Sequence, residues 1–116
     1  MKINNSRFFL KLPYPENLIK TICQNQDMTI NDEQVLGFQK AFEQLAPMEQ
    51  MVLKCRFKDR QTFKQIGVSV NRTTDKAYLI YQHGIRKLRN PYRHNMIVLG
   101  YHRALEVFTK EESSRI

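Results

Sequence analysis

The sequence has few of the residues that are typical of secreted, repetitive or disordered chains. It holds two cysteines, four glycines and four prolines in 116 residues. Cys23 and Cys55 lie far apart without a CxxC partner, so we expect reduced thiols rather than a disulfide. No apolar run approaches the roughly 20 residues that span a bilayer, and the N-terminus lacks the pattern of a secretion signal. We expect one small cytoplasmic domain with no membrane contact.

Patterns that support catalysis, metal binding or cofactor binding are also missing. His83, His94 and His102 have no ligand-like spacing with Cys, Asp or Glu, so we expect no metal site. The sequence contains no Gly-rich phosphate loop, no GxSxG motif and no carboxylate pair placed for acid–base chemistry. We therefore expect that the protein is not an enzyme and uses no cofactor.

The net charge of +8 is concentrated in the middle of the chain. Residues 47–93 hold eleven Lys and Arg side chains against three acidic ones, whereas residues 1–46 and residues 94–116 each have no net charge. A local basic excess is typical of a protein that binds a polyanion. It is equally typical of a basic surface that keeps a protein soluble, so charge alone leaves both interpretations open.

Apolar residues follow helical spacing almost throughout, which predicts an all-α fold, a small helical bundle. After a short arm over residues 7–12, one helix begins beyond Pro15 and a second is capped by Asn31. Pro47 is well suited to be the first residue of a third helix. We expect one compact domain with three parts: an N-terminal arm and two helices (1–46), a helix-turn-helix region (47–93), and a C-terminal amphipathic helix with a polar tail (94–116).

Residues 63–88 have the spacing of a helix-turn-helix. Phe63, Ile66, Gly67 and Val70 form one face of a two-turn helix, and Asn71 tolerates the left-handed backbone that a tight turn needs. Thr73 can cap the next helix, whose inward face carries four residues: Ala77, Ile80, Gly84 and Leu88. A short helix followed by a longer basic one is the arrangement in which the second helix enters the DNA major groove.

Three motifs within residues 45–93 resemble one protein family. They are Leu45-Ala46-Pro47-x-Glu49-x-x-Val52-Leu53-x-x-Arg56-Phe57, then Thr62-Phe63-x-x-Ile66-Gly67, then Lys87-Leu88-Arg89-Asn90-Pro91-x-Arg93. Together they resemble region four of bacterial sigma factors, the helix-turn-helix domain that recognises the promoter −35 element. LuxR-type response-regulator domains share the helix spacing, but they favour neither the Arg56-Phe57 pair nor the basic ending.

The sequence also departs from that family. The loop between Phe57 and Thr62 is short, Ala46 replaces the usual Ser or Thr cap, and Asn71 replaces the usual turn glycine. The start of the second helix, residues 74–79, lacks the family's usual Arg and Gln residues. Nothing resembles sigma region two, so the resemblance implies a freestanding regulator, as in a phage or mobile element, with an altered DNA target.

The resemblance and the helical spacing together indicate candidate site residues. Base-reading candidates are Thr74, Asp75, Tyr78, Leu79 and Gln82. Leu79 would contact a thymine methyl group; alternatively it packs against a flanking helix. Phosphate-binding candidates are Thr62, Lys64, Arg72, Thr73, Lys76, Arg86 and Arg89; alternatively their charges only solubilise the surface. We expect Arg56 to pair internally with a carboxylate such as Glu49.

Beyond the family's usual end, a last helix carries Ile97, Tyr101, Ala104, Leu105 and Phe108 on one face. This face either closes the core or forms a homodimer, and we expect the homodimer.

Two functions remain open. The first is a sequence-specific DNA-binding transcription regulator, an activator that binds double-stranded DNA and contacts RNA polymerase. The second is an adaptor that binds RNA polymerase, through its β-subunit flap, or a sigma factor without strong DNA specificity; RNA is a minor third partner.

Overall fold

The computed structural model describes residues 11–114, with side chains described through residue 110. Over this range the chain forms seven helices and no strand. They are α1 (Glu16–Cys23), α2 (Asp32–Glu43), α3 (Pro47–Phe57), α4 (Phe63–Ser69), α5 (Thr74–Leu88), α6 (Pro91–Val98) and α7 (Tyr101–Ser114). The predicted all-α bundle is confirmed. Most of the predicted arm lies outside the described residues, and no helix among those described is long and apolar enough to cross a membrane.

Local sequence signals set most helix starts. Asn31 accepts a hydrogen bond from the Gln34 backbone N–H at 2.8 Å, and the Gln34 side chain accepts one from the Asn31 N–H at 3.0 Å. This reciprocal capping box satisfies two N–H groups that the helix itself leaves unpaired. Pro47 is the first residue of α3, as predicted. At the atypical Ala46 position, the Glu49 carboxylate accepts the backbone N–H at 3.0 Å and supplies half of a capping box.

The prediction of one C-terminal amphipathic helix is wrong in one respect, because the segment forms two helices. Gly100 separates α6 from α7 with a φ of +90°, a conformation that favours glycine. Beyond the break, the Glu33 carboxylate of α2 accepts the backbone N–H of His102 at 3.0 Å, and the His102 Nδ1 atom lies 2.9 Å away. These His102 contacts, the backbone hydrogen bond first, lower the pKa of Glu33. A carboxylate from α2 therefore caps the N-terminus of α7.

The core has two clusters of buried side chains. The larger one joins every helix except α4, and it contains Leu18, Ile19, Ile22, Phe38, Ala41, Phe42, Leu45, Leu53, Phe57, Ile85, Leu88, Met96, Ile97 and Ala104. The smaller one lies beneath the helix-turn-helix and contains Val52, Ile66, Val70, Ala77 and Ile80. Because α3 and α5 contribute to both clusters, the helix-turn-helix is built onto the rest of the bundle.

The face of the C-terminal segment that suggested a homodimer lies largely inside the monomer. Ile97 and Ala104 are fully buried, and Tyr101 and Phe108 pack against the larger cluster. Only Leu105 in this set is substantially exposed. The contacts therefore favour the other alternative, closure of the core, and they leave the predicted homodimer without its apolar face.

Candidate nucleic-acid interface

Helices α4 and α5 form the predicted helix-turn-helix. The turn between them needs Gly67, because a Cβ atom there would lie 2.8 Å from the Arg72 carbonyl oxygen. Asn71 adopts a left-handed φ of 58°, as predicted. Thr73 then caps α5 by accepting the Lys76 backbone N–H at 3.1 Å, and Thr62 caps α4 in the same way through Gln65 at 3.2 Å. The predicted left-handed turn at Asn71 and the predicted cap at Thr73 are confirmed.

The two faces of α5 differ as predicted. Ala77, Ile80, Gly84 and Leu88 are buried against α3 and α4. Helical spacing places Asp75, Leu79, Gln82 and Arg86 in one row on the opposite side. Asp75, Leu79 and Arg86 are exposed in that row and Gln82 is half-buried, while Thr74 is exposed beside it. Three of the five base-reading candidates, Asp75, Leu79 and Gln82, therefore share one side of α5.

Leu79 is the one aliphatic side chain in that outward row. Its exposed fraction is 47%, so no flanking helix buries it. A half-exposed leucine among polar side chains gains little from folding. Its position leaves it available to a partner on the outer side of α5.

Tyr78 is placed differently from the other candidates. Its ring packs edge-on against Phe63 of α4 at a centroid distance of 5.1 Å and lies nearly parallel to Tyr81 at 6.0 Å. It remains 44% exposed. The sequence pattern indicated an outward side chain but not this aromatic neighbourhood, because contacts with Phe63 of α4 depend on how the two helices pack.

Two arginines predicted to bind phosphate already have backbone partners. Arg89 donates through Nη2 to the Thr21 carbonyl at 2.8 Å and through Nε to the Ile22 carbonyl at 3.1 Å, at the end of α1. Arg72 donates to the carbonyls of Val70 and Asn71 at 3.3 and 3.0 Å, within the turn. Both guanidinium groups therefore bind carbonyls at helix ends. The Thr21 carbonyl also accepts the Gln24 backbone N–H at 3.3 Å, so Arg89 is its second donor. This structural role was missed because it depends on which chain ends meet in space.

The remaining predicted cations are Lys64, Lys76 and Arg86. All three are exposed, and none makes a side-chain hydrogen bond or ion pair with another residue of the described chain. Lys64 lies in the first turn of α4, Lys76 in the first turn of α5, and Arg86 in the last turn of α5. The two cap residues, Thr62 and Thr73, use a hydroxyl lone pair as helix caps and retain an O–H donor.

The internal ion pair has different partners from those expected. Glu49 is nearly buried, and its carboxylate binds the Lys87 ammonium at 2.9 Å. Arg56 instead donates to the Gln61 carbonyl at 2.9 Å and lies 4.7 Å above the Phe63 ring. Arg56 is an internal group, as predicted, but the Glu49 carboxylate is bound to Lys87 and connects α3 to α5.

The described residues contain no group of three His, Cys, Asp or Glu side chains that could hold a metal ion. Burial raises the pKa of both thiols, and Asp59 raises that of Cys55 further. Thiols of this kind are poor nucleophiles at neutral pH.

The depressions on the surface are open grooves. One of about 350 Å³ runs along α5, and one of about 330 Å³ lies between α2 and α3.

Comparison with known proteins finds no match: no protein-family model, no curated protein and no solved structure matches this chain. The resemblance to sigma region four therefore stays an expectation from the motif residues within 45–93.

Proposed function

We propose that this protein is a sequence-specific DNA-binding transcription regulator whose α5 enters the major groove. The observation that carries the proposal is the outward row on α5, Asp75, Leu79, Gln82 and Arg86, presented by a short helix and a tight turn. An α-helix fits the major groove, where base edges carry a distinct pattern of donors, acceptors and methyl groups. Gln82 suits adenine, and Leu79 suits the thymine methyl group.

Charge on either side of this row supports the same proposal. Lys64, Lys76 and Arg86 are exposed and unpaired within the described chain, and the N–H groups at the start of α5 carry partial positive charge. Such groups position a protein on phosphates without reading sequence. Eleven basic residues against three acidic ones in 47–93 add a field that attracts a polyanion.

The motif resemblance supports a more specific proposal, a freestanding regulator similar to sigma region four that activates a promoter in the bacterial cytoplasm, in a phage or mobile-element setting. The altered residues at 74–79 argue for a target other than the consensus −35 element. Contact with RNA polymerase would then connect the bound site to transcription.

The proposal is tested by selecting bound DNA from a random duplex pool with the purified full chain. We expect one enriched motif that contains A·T pairs. Retained DNA without an enriched motif would contradict base readout, and no retained DNA would contradict DNA binding itself. On the enriched site, Leu79→Ala should cost about 1–3 kcal/mol and should cost little on unrelated DNA. Lys76→Ala is the matched control, because loss of a phosphate contact weakens both equally.

A second candidate function is supported by the groove between α2 and α3. Tyr14, Phe38 and Phe42 line its apolar part, and its charged lining consists of two lysines, Lys54 and Lys58, and one carboxylate, Glu43. This chemistry suits a protein segment with an apolar anchor and acidic neighbours, and it is the adaptor alternative in which the protein binds RNA polymerase or a sigma factor. Lys58→Glu should then abolish co-purification with polymerase and leave DNA selection unchanged.

A further inference from the structure

The groove along α5 has the chemistry of a nucleotide site. It is lined by Tyr78, Tyr81, Gln82, Ile85, Arg86 and Arg89, and its volume is about 350 Å³. We propose that this groove binds a nucleobase that has left the duplex stack, with Tyr78 as its stacking platform. The inference rests on the proposed function, because it names a second form of nucleic acid at the same helix.

Three aromatic rings form a ladder that ends at the groove. Phe57 and Tyr81 have centroids 6.1 Å apart and planes 20° from parallel, and Tyr81 and Tyr78 have centroids 6.0 Å apart and planes 22° from parallel. Phe57 is fully buried, Tyr81 is half-buried, and Tyr78 is 44% exposed. The ladder therefore begins in the core and ends at a half-exposed ring, where a base could be the next ring.

The Tyr78 ring is also held in place before any ligand arrives. Phe63 packs edge-on against both tyrosines, at 5.1 Å from Tyr78 and 5.0 Å from Tyr81. Arg56 covers Phe63 at 4.7 Å and is anchored to the Gln61 carbonyl. A ring fixed in this way loses little conformational entropy when a base stacks on it, which favours binding.

Polar groups along the groove suit the rest of a nucleotide. Gln82 has both a donor and an acceptor for the edge of a base, and its amide makes no hydrogen bond within the described chain. Arg86, one turn further, is exposed and unpaired there, and it can bind the phosphate. Arg89 closes the end of the groove in a fixed position, because α1 holds its guanidinium. Aromatic platforms beside cations are the usual means of binding single-stranded nucleic acid.

The test uses the absence of tryptophan from the chain. Tyr78→Trp introduces a single indole into the full-length protein, and a base that stacks on it should quench its fluorescence. The probes are a short oligothymidine strand and the duplex obtained by selection. Quenching by the strand supports the inference. Quenching by the duplex alone would overturn it, because an intact duplex seated on α5 also lies beside this indole. If anisotropy shows that both probes bind and neither quenches, the inference is wrong and DNA binding stands. If neither binds, the proposed function fails as well.

Affinity of the oligothymidine strand provides the second measurement. We expect Tyr78→Ala to weaken binding about tenfold, the effect of losing one base–aromatic stack, and Tyr78→Phe to stay within about twofold because its ring stacks equally well. Tyr92→Ala is the control, since Tyr92 is half-exposed and stacked on Phe108 but lies on α6, outside the groove. Equal losses from Tyr78→Ala and Tyr78→Phe would point to the phenol hydroxyl and overturn stacking. Thermal unfolding checks that each variant is folded.

Discussion

Two arginines three residues apart on the same helix end have different surroundings. Arg86 is exposed with no partner in the described chain, whereas Arg89 donates to the carbonyls of Thr21 and Ile22. Both of those residues are buried. An unpaired buried acceptor costs free energy, so the Arg89 guanidinium stabilises the junction of α1 and α5.

We therefore expect opposite results from two alanine substitutions. Arg86→Ala should weaken binding to specific and unrelated DNA alike and lower the salt slope by about one, with no change in the free energy of unfolding. Arg89→Ala should lower the free energy of unfolding by about 1–3 kcal/mol, because the buried Ile22 carbonyl loses its donor and the Thr21 carbonyl keeps only the Gln24 N–H at 3.3 Å. Filter binding and urea unfolding measure the two effects. Arg103→Ala, at an exposed pair on α7, is the control. If Arg89→Ala leaves the free energy of unfolding unchanged and weakens DNA binding, Arg89 is a phosphate-binding residue and not a stabilising one.

Helix boundaries were predictable where neighbouring residues decide them. Asn31, Pro47, Thr62 and Thr73 each begin a helix in the way their side chains favour. The break at Gly100 was not predicted, because the amphipathic spacing continues across it. Its cause is tertiary, since α7 begins where Glu33 of α2 receives the His102 N–H.

The same limit applies to the candidate site. The outward row on α5 follows from helical spacing, and the sequence was enough to predict it. The partners of Arg72 and Arg89 depend on helix ends that meet in space, and so does the aromatic ladder at Tyr78. Residues with a local role were therefore predicted well, and residues with a distant partner were not.

Helices α2 and α6 touch at Gly37, which the sequence did not single out. A Cβ atom at Gly37 would overlap the Met96 carbonyl oxygen, a backbone atom that cannot move alone. At Gly84 of α5, an added Cβ would meet side-chain atoms instead: the Leu53 Cδ1 at 3.0 Å, the Leu53 Cγ at 3.4 Å and the Glu49 Cβ at 3.7 Å. The two glycines therefore limit helix approach by contact with different kinds of atom.

We expect Gly37→Ala to be the more damaging of two matched substitutions. Both sites are in helix interiors, so the gain in helix propensity, about 1 kcal/mol, is common to both and cancels in the comparison. Overpacking against backbone should make Gly37→Ala less stable than Gly84→Ala by about 1–3 kcal/mol. Urea unfolding with both variants measures the difference. Equal stabilities would mean that α2 and α6 can move apart at no cost in the free energy of unfolding, which would contradict tight packing of Gly37 against the Met96 backbone.

At the scale of the whole molecule, the charge and the core are distributed differently along the chain. The larger core cluster draws on the N-terminal helices, α3, the end of α5 and the C-terminal helices. The net charge of +8 belongs to residues 47–93 alone. The nearly neutral segments before and after the helix-turn-helix thus supply much of the core that supports it, and the basic middle supplies the surface that we propose binds DNA.

The salt dependence of DNA binding reports how many cations contact phosphate. It therefore tests whether the arginines that donate to backbone carbonyls also bind DNA. Each phosphate neutralised contributes a slope of about −0.9 to log K against log salt. Lys64, Lys76 and Arg86 alone predict a slope of about −3, whereas all five predicted cations, with Arg72 and Arg89, predict about −4.5. We expect the smaller magnitude, because Arg72 and Arg89 donate to backbone carbonyls.

Fluorescence anisotropy with a labelled duplex, from low to physiological salt, measures this slope on the full chain. The triple variant Lys64→Ala, Lys76→Ala, Arg86→Ala should leave only a residual slope near zero, and Arg103→Ala should leave the wild-type slope unchanged. A wild-type slope of about −1, the effect of one contact, would be too shallow for a helix seated in the major groove between two phosphate strands. A slope near −4.5 would instead mean that Arg72 and Arg89 also contact phosphate, through guanidinium N–H groups that their carbonyl hydrogen bonds leave unused.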